Sequence, residues 1–150
     1  MLGGRLDPAV LGRWVVMLSR YYNGADVMVE RNNHGHSVLL YLDENGQCRV
    51  LNGYDGRPGW LSNVKGKPLL YDAVAKALQE KAVVLRDSET VVQLCSIEAS
   101  TLRAPEGLND DRADAFGLCV ATLAYGYRTL QVSTAITGSD ALDGVDRDGW

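Results

Sequence analysis

Apolar residues recur at three- and four-residue spacing in four stretches of this chain, and each stretch predicts an amphipathic helix. In the first, residues 6–22, Val10, Leu11, Trp14, Val15, Leu18 and Tyr22 share one face. Asp7 supplies an N-cap there, and Pro8 takes the first helical position, where a missing N–H costs nothing. In the second, residues 68–81, the aligned positions are Leu69, Leu70, Ala73, Val74, Ala77 and Leu78. The third begins at the cap Asp87-Ser88 and carries Val91, Val92, Leu94 and Cys95. The fourth runs from Asp111 to about Tyr127, with an inner face of Ala113, Gly117, Val120, Ala121 and Ala124 small enough to approach a sheet closely.

Shorter apolar runs without that period lie between the helices. Residues 25–31, 47–51 and 82–85 read as strands, the first of them apolar on both faces through Val27, Met28 and Val29 and therefore interior. Residues 37–42 suit a buried strand or a short helix. Gly35 ahead of them and Asp43-Glu44-Asn45-Gly46 behind are helix punctuation and favour a helix over 36–42. Residues 52–60 are too rich in glycine for a regular element and form a long turn. Residues 133–150, with no apolar period, read as a mobile tail behind a domain spanning 1–132. Helices alternating with strands predict an α/β (α+β) domain.

A chain of 150 residues is one domain with room for a sizeable core. No apolar run approaches the roughly 20 residues of a membrane-spanning helix, and the first residues lack the apolar segment of a secretory signal. Cys48, Cys95 and Cys119 have no CxxC spacing and have apolar neighbours, which predicts buried, reduced thiols in a cytosol-like compartment. The net charge of −4 argues against a broad basic face for nucleic acid. It leaves room for acids that hold metal ions against phosphates, because the ions invert the local field.

Two stretches carry candidate chemistry. From Val27 to Gly35 an apolar run breaks at Glu30 into a polar, glycine-ended corner, an arrangement in which the run fixes a side chain and the loop opens it to ligand. Further on, Asp110 and Asp111 stand at a helix start, where capping and the helix dipole explain adjacent acids. Asp114, at i+4 and i+3 from them, adds a third carboxylate to the same side, and like charges so placed repel unless a cation joins them. Glu30, Asp110 and Asp111, with Asp114 as a further candidate, form an all-oxygen set that suits Mg²⁺ or Mn²⁺ rather than zinc. Two such ions about 4 Å apart activate water and stabilise the leaving oxygen in phosphodiester cleavage.

Glu30-Arg31-Asn32-Asn33-His34-Gly35 followed by an apolar run, Gly66-Lys67 opening a helix, and Asn109-Asp110-Asp111 followed by Ala115 occur in an order that resembles the C-terminal nuclease domain of the phage terminase large subunit. The resemblance runs over residues 6–127. It implies an RNase H-like mixed sheet flanked by helices, and a two-metal Mg²⁺- or Mn²⁺-dependent endonuclease that cuts concatemeric viral double-stranded DNA during genome packaging in the host cytoplasm. It implies as metal ligands an Asp on the first sheet strand, Glu30, and one or both of Asp110 and Asp111. It implies as partners the ATPase portion of the large terminase, the small terminase and the portal. Gly66-Lys67-Pro68 is no phosphate-cradling GxxxxGK[ST] loop, so the ATPase belongs elsewhere. The family's leading strands, which carry the first Asp, have no counterpart ahead of residue 6. The expectation is therefore a fold truncated on its N-terminal side, with impaired cleavage and a sheet edge open to self-association.

Arg31, Asn32, Asn33, His34, Lys65 and Lys67 are the candidate DNA contacts, and residues 53–67, with Tyr54 and Trp60, the best candidate stretch. The plainer alternatives are solvated charges and asparagines that serve a turn. Arg112 either contributes to the site or neutralises the acids beside it. Trp14, Tyr21 and Tyr22 are assigned to the core. Two histidines without a nearby cysteine do not make a zinc site, and no Gly-x-Ser-x-Gly elbow is present. The competing functions are a junction-resolvase type of nuclease and a non-catalytic module of the same fold that binds DNA or a partner.

Overall fold

The computed structural model describes residues 6–32, 34–45 and 48–126. All four periodic stretches are helical, and so is the ambiguous one. The helices are α1 Pro8–Tyr21, α2 Gly35–Asn45, α3 Gly66–Gln79, α4 Ser88–Ser96 and α5 Asp111–Ala121, the last continuing through a π-helical turn, Thr122–Gly126. Asp7 caps α1 by accepting from the N–H groups of Ala9 and Val10 at 2.9 and 3.4 Å. Asp87 caps α4 through the N–H and hydroxyl of Thr90. The expected tail, residues 133–150, lies outside the described residues, as do the last residue of the expected fourth helix and residue 47 of the second expected strand.

The fold class is corrected by what lies between the helices. The described residues hold five α-helices and no strand, so the RNase H-like mixed sheet expected of an α/β chain is not formed by them. A ladder needs consecutive residues paired with one neighbour. Here the extended run 25–31 is shared between two neighbours, meeting each at isolated bridges, Val27 with Val50 and Glu30 with Trp60. Val27 N–H donates to the Arg49 carbonyl and the Val27 carbonyl accepts from Leu51, both at 2.9 Å. Two residues on, Val29 and Arg31 bond instead to Trp60, at 2.8 and 2.6 Å. Residues 82–85, expected as a strand, make no bridge among the described residues. Without a sheet, the edge pairing expected of a truncated one has no structural basis here.

The extended run nonetheless partitions the molecule. Successive side chains of an extended backbone point to opposite sides. Val27 and Val29 pack with Val16, Val38 and Leu42 of the α1·α2 pair. Met28 packs with Trp60, Leu70, Val74 and Val120 under the α3·α5 pair. The same alternation puts Glu30 on the Met28 side, toward α3 and α5. Those two helices touch closely because α5 has no side chain at Gly117: a Cβ there would stand 2.0 Å from Leu70.

Three packing expectations change. The buried stripe of α1 is Gly12, Val16 and Ser19, displaced from the expected face, and Trp14, Leu18, Tyr21 and Tyr22 are exposed. The cause is local: the Tyr41 ring of α2 lies against Gly12 and draws that side of α1 inward. Cys95 and Cys119 are exposed and Cys48 is half-buried, all three free, rather than buried. Trp60, expected near DNA, is fully buried, its indole N–H donating to the Gly66 carbonyl at 3.2 Å. No helix among the described residues is long and apolar enough to cross a membrane.

Candidate functional site

Glu30 is the last residue of the partition to be bridged, and its carboxylate is steadied from its own side of the chain. Asn32, two residues on and so on the same side, donates its amide N–H to Glu30 Oε1 at 3.3 Å and to the Ser62 carbonyl at 3.2 Å. The turn that follows must pass close beneath. A Cβ at Gly35 would meet the Glu30 carbonyl oxygen at 1.7 Å, so only glycine lets α2 start there.

The start of α3 is fixed just as tightly. Asn63 Oδ1 accepts from the N–H groups of Lys65 and Gly66 at 3.0 and 2.8 Å and from the Tyr54 hydroxyl at 3.0 Å. Gly66 lies against the Leu61 carbonyl, where a Cβ would come within 1.8 Å. These contacts set the direction of the next side chain, Lys67. Its ammonium lies 3.5 Å from Asp110 Oδ2 and 3.2 Å from Asp114 Oδ2. One helical turn later on the same face, Tyr71 donates its hydroxyl to Asp114 Oδ1 at 2.7 Å.

On α5 the capping explanation for Asp110 does not hold. Its side chain makes no cap hydrogen bond. Gln93 of α4 performs that task from outside, its Oε1 accepting from the N–H groups of Arg112 and Ala113 at 2.8 and 3.3 Å. Asp110 is thereby released to face Lys67, with a further hydrogen bond from the Ala104 N–H at 3.4 Å. Asp114 follows one turn later on the same side. Asp111, expected as a ligand, is exposed.

Tyr71 shows how closely the acids converge. Burial, the hydrogen bond to Asp114 and the charges of Asp114, Asp110 and Glu30 together hold its hydroxyl far above the usual tyrosine range. Two acidic motifs far apart in sequence thus share one electrostatic neighbourhood around a half-buried phenol. The cluster holds one ammonium and one hydroxyl donor among three carboxylates.

Carboxylate oxygens are the donors that Mg²⁺ and Mn²⁺ prefer. The arrangement does not complete a metal site. Among the described residues no three His, Cys, Asp or Glu side chains stand together so as to hold an ion, and Lys67 already stands between Asp110 and Asp114. The cation that the sequence pattern asked for is the chain's own.

The remaining candidates divide. Arg31 turns inward to an ion pair with Asp55, its guanidinium also reaching the Pro58 carbonyl at 3.5 Å, and so braces the 53–59 turn. His34 and Lys65 are exposed, the Lys65 ammonium lying 5.6 Å over the Tyr54 ring. Asn33 lies outside the described residues. Asp26, the early acid nearest Glu30 in sequence, is paired with Arg49. Arg112 does not neutralise the acids beside it but pairs with Asp87 and Glu89 of α4. Sequence reasoning missed Tyr71 and Gln93. For Tyr71 a signal existed, its i+4 spacing from Lys67 on one helix; for Gln93, a long-range cap, there was none. Compared with protein families, curated proteins and solved structures, the chain matches none of them.

Proposed function

We propose that this chain carries the acidic centre of a Mg²⁺- or Mn²⁺-dependent endonuclease acting on double-stranded DNA, of the kind the phage large terminase has. The supporting observation is the convergence of Glu30 with Asp110 and Asp114 about Tyr71. In this reading Glu30 and Asp110 are the carboxylates that serve the reaction, Asn32 positions Glu30, and Lys67 and Tyr71 position Asp114. The described acids do not enclose an ion, so metal entry requires Lys67 to give way. The packaging ATPase, small terminase and portal as partners, and the host cytoplasm as location, belong to the same proposal.

Supercoiled plasmid incubated with the protein and Mn²⁺ tests it. Nicking or linearisation is expected, and Glu30→Ala and Asp110→Ala each abolish it. A preference for four-way junctions over linear duplex would move the reading to the resolvase type.

One observation favours a second reading, a DNA- or partner-binding module without catalysis: Lys67 already compensates the two aspartates. That reading predicts intact DNA in the plasmid assay and retention of DNA that Glu30→Ala leaves unchanged.

A further inference from the structure

We propose that Lys67 is the resident counter-cation of the acidic cluster and competes with divalent metal for Asp110 and Asp114. The inference rests on the nuclease reading of this site and concerns how that site is controlled.

Oxygen by oxygen, Asp114 is committed. Its Oδ1 accepts the Tyr71 hydroxyl at 2.7 Å, and its Oδ2 faces the Lys67 ammonium at 3.2 Å. The Oδ2 of Asp110, 3.5 Å from the same ammonium, is the second arm of the pair. An ion that drew on both aspartates would have to stand where Lys67 Nζ stands, and two cations do not share so small a space. Desolvation strengthens the conflict, since the Lys67 side chain is only 15% exposed and charges are screened less there than at the surface.

Lys67 is suited to yielding. It carries a point charge on a flexible four-carbon stem, while its backbone is held at the start of α3 by an N–H bond to the Asn63 carbonyl at 3.0 Å and by the Asn63 cap on its neighbours. The side chain can swing out without unwinding the helix. The cluster then has two exclusive states, one closed by the chain's own ammonium and one open to a divalent ion. An ion enters against that competition, so the unmodified site binds metal weakly.

Calorimetric titration with Mn²⁺ tests this on the full chain. Lys67→Met, which keeps the length of the stem and removes the charge, is expected to bind Mn²⁺ at least tenfold more tightly than the wild type, whereas Lys67→Arg gains nothing. Equal or weaker binding by Lys67→Met overturns the inference. The nuclease reading survives that result if wild-type binding is lost in Glu30→Ala or Asp110→Ala. No Mn²⁺ binding by either the wild type or Lys67→Met overturns both. Should Lys67→Met fail to fold by circular dichroism, the side-chain ammonium resonance of Lys67 in the ¹⁵N-lysine-labelled wild type decides. It is expected to shift as Mg²⁺ binds, and an unchanged resonance in the Mg²⁺-bound protein overturns the inference.

Discussion

The first turn of α5 carries ionic clusters on two sides, and their surroundings differ. On one side Lys67, Asp110 and Asp114 are 15%, 26% and 19% exposed, with Tyr71 closing over Asp114. On the other, Arg112 joins Asp87 and Glu89, and the two acids are 51% and 66% exposed. The chemistry is nearly the same, a cation between two carboxylates, but a unit pair at 4 Å is worth about 1 kcal/mol in bulk water and about 4 kcal/mol at an effective dielectric of 20. The outer cluster belongs near the first figure and the inner one nearer the second. Ion pairs adjacent in sequence are therefore a poor guide to which charges matter; the depth of each does more to decide it.

The largest expected effect tests the inner cluster. Asp114→Ala removes the nearer partner of Lys67 and the acceptor of the Tyr71 hydroxyl together, and should cost roughly 2–4 kcal/mol in urea unfolding. A loss below about 1 kcal/mol, as for a solvated pair, would place this cluster with the outer one.

An intermediate effect concerns alkaline pH. Because the folded protein holds the Tyr71 hydroxyl protonated well above the usual tyrosine value, the unfolded chain gives up that proton first. Stability should therefore fall as pH rises past about 10. Titration by tyrosinate absorbance should leave one tyrosine un-ionised at pH values where the others have titrated. Asp114→Asn should return it toward the ordinary range, and failure to do so would remove Asp114 as a cause.

The smallest effect belongs to the outer cluster. Arg112→Ala should move the urea midpoint little, and that little should vanish in high salt. Asp87 is held below its usual range first by the hydroxyl and N–H of Thr90, and only then by Arg112. Its contribution is thus present above the ordinary Asp pKa and lost as pH falls through the lowered value. Arg112→Ala should leave most of that acid dependence in place. If instead it abolished the dependence or destabilised as much as Asp114→Ala, the contrast between the clusters would fail.

Most of the helical content was legible, because periodicity and caps are local. Asp7 and Asp87 act as caps as their positions suggest, and the small face of α5 is buried at Ala113, Gly117, Val120 and Ala121. The strands were not, since an apolar run such as Val27-Met28-Val29 specifies extension and burial but not the length of its pairing. Half of the site was legible too. Glu30 and Asp110 were singled out, whereas Asp111 points to solvent and Asp114 took the inner place. An α-helix turns about 100° per residue, and which of two adjacent acids faces inward depends on what packs beside it.

By itself the sequence determined the helices, the carboxylate at the end of an extended run and the excess of like charge at the start of α5, for these follow from spacing within a few residues. Only the tertiary structure decided what relieves that charge. Gln93 took over the capping of α5, the docking of α3 on Gly117 brought Lys67 and Tyr71 to the acids, and the alternation about Met28 turned Glu30 toward them. Each is a contact between residues remote in the chain, where burial and packing choose the partner and local spacing has no say.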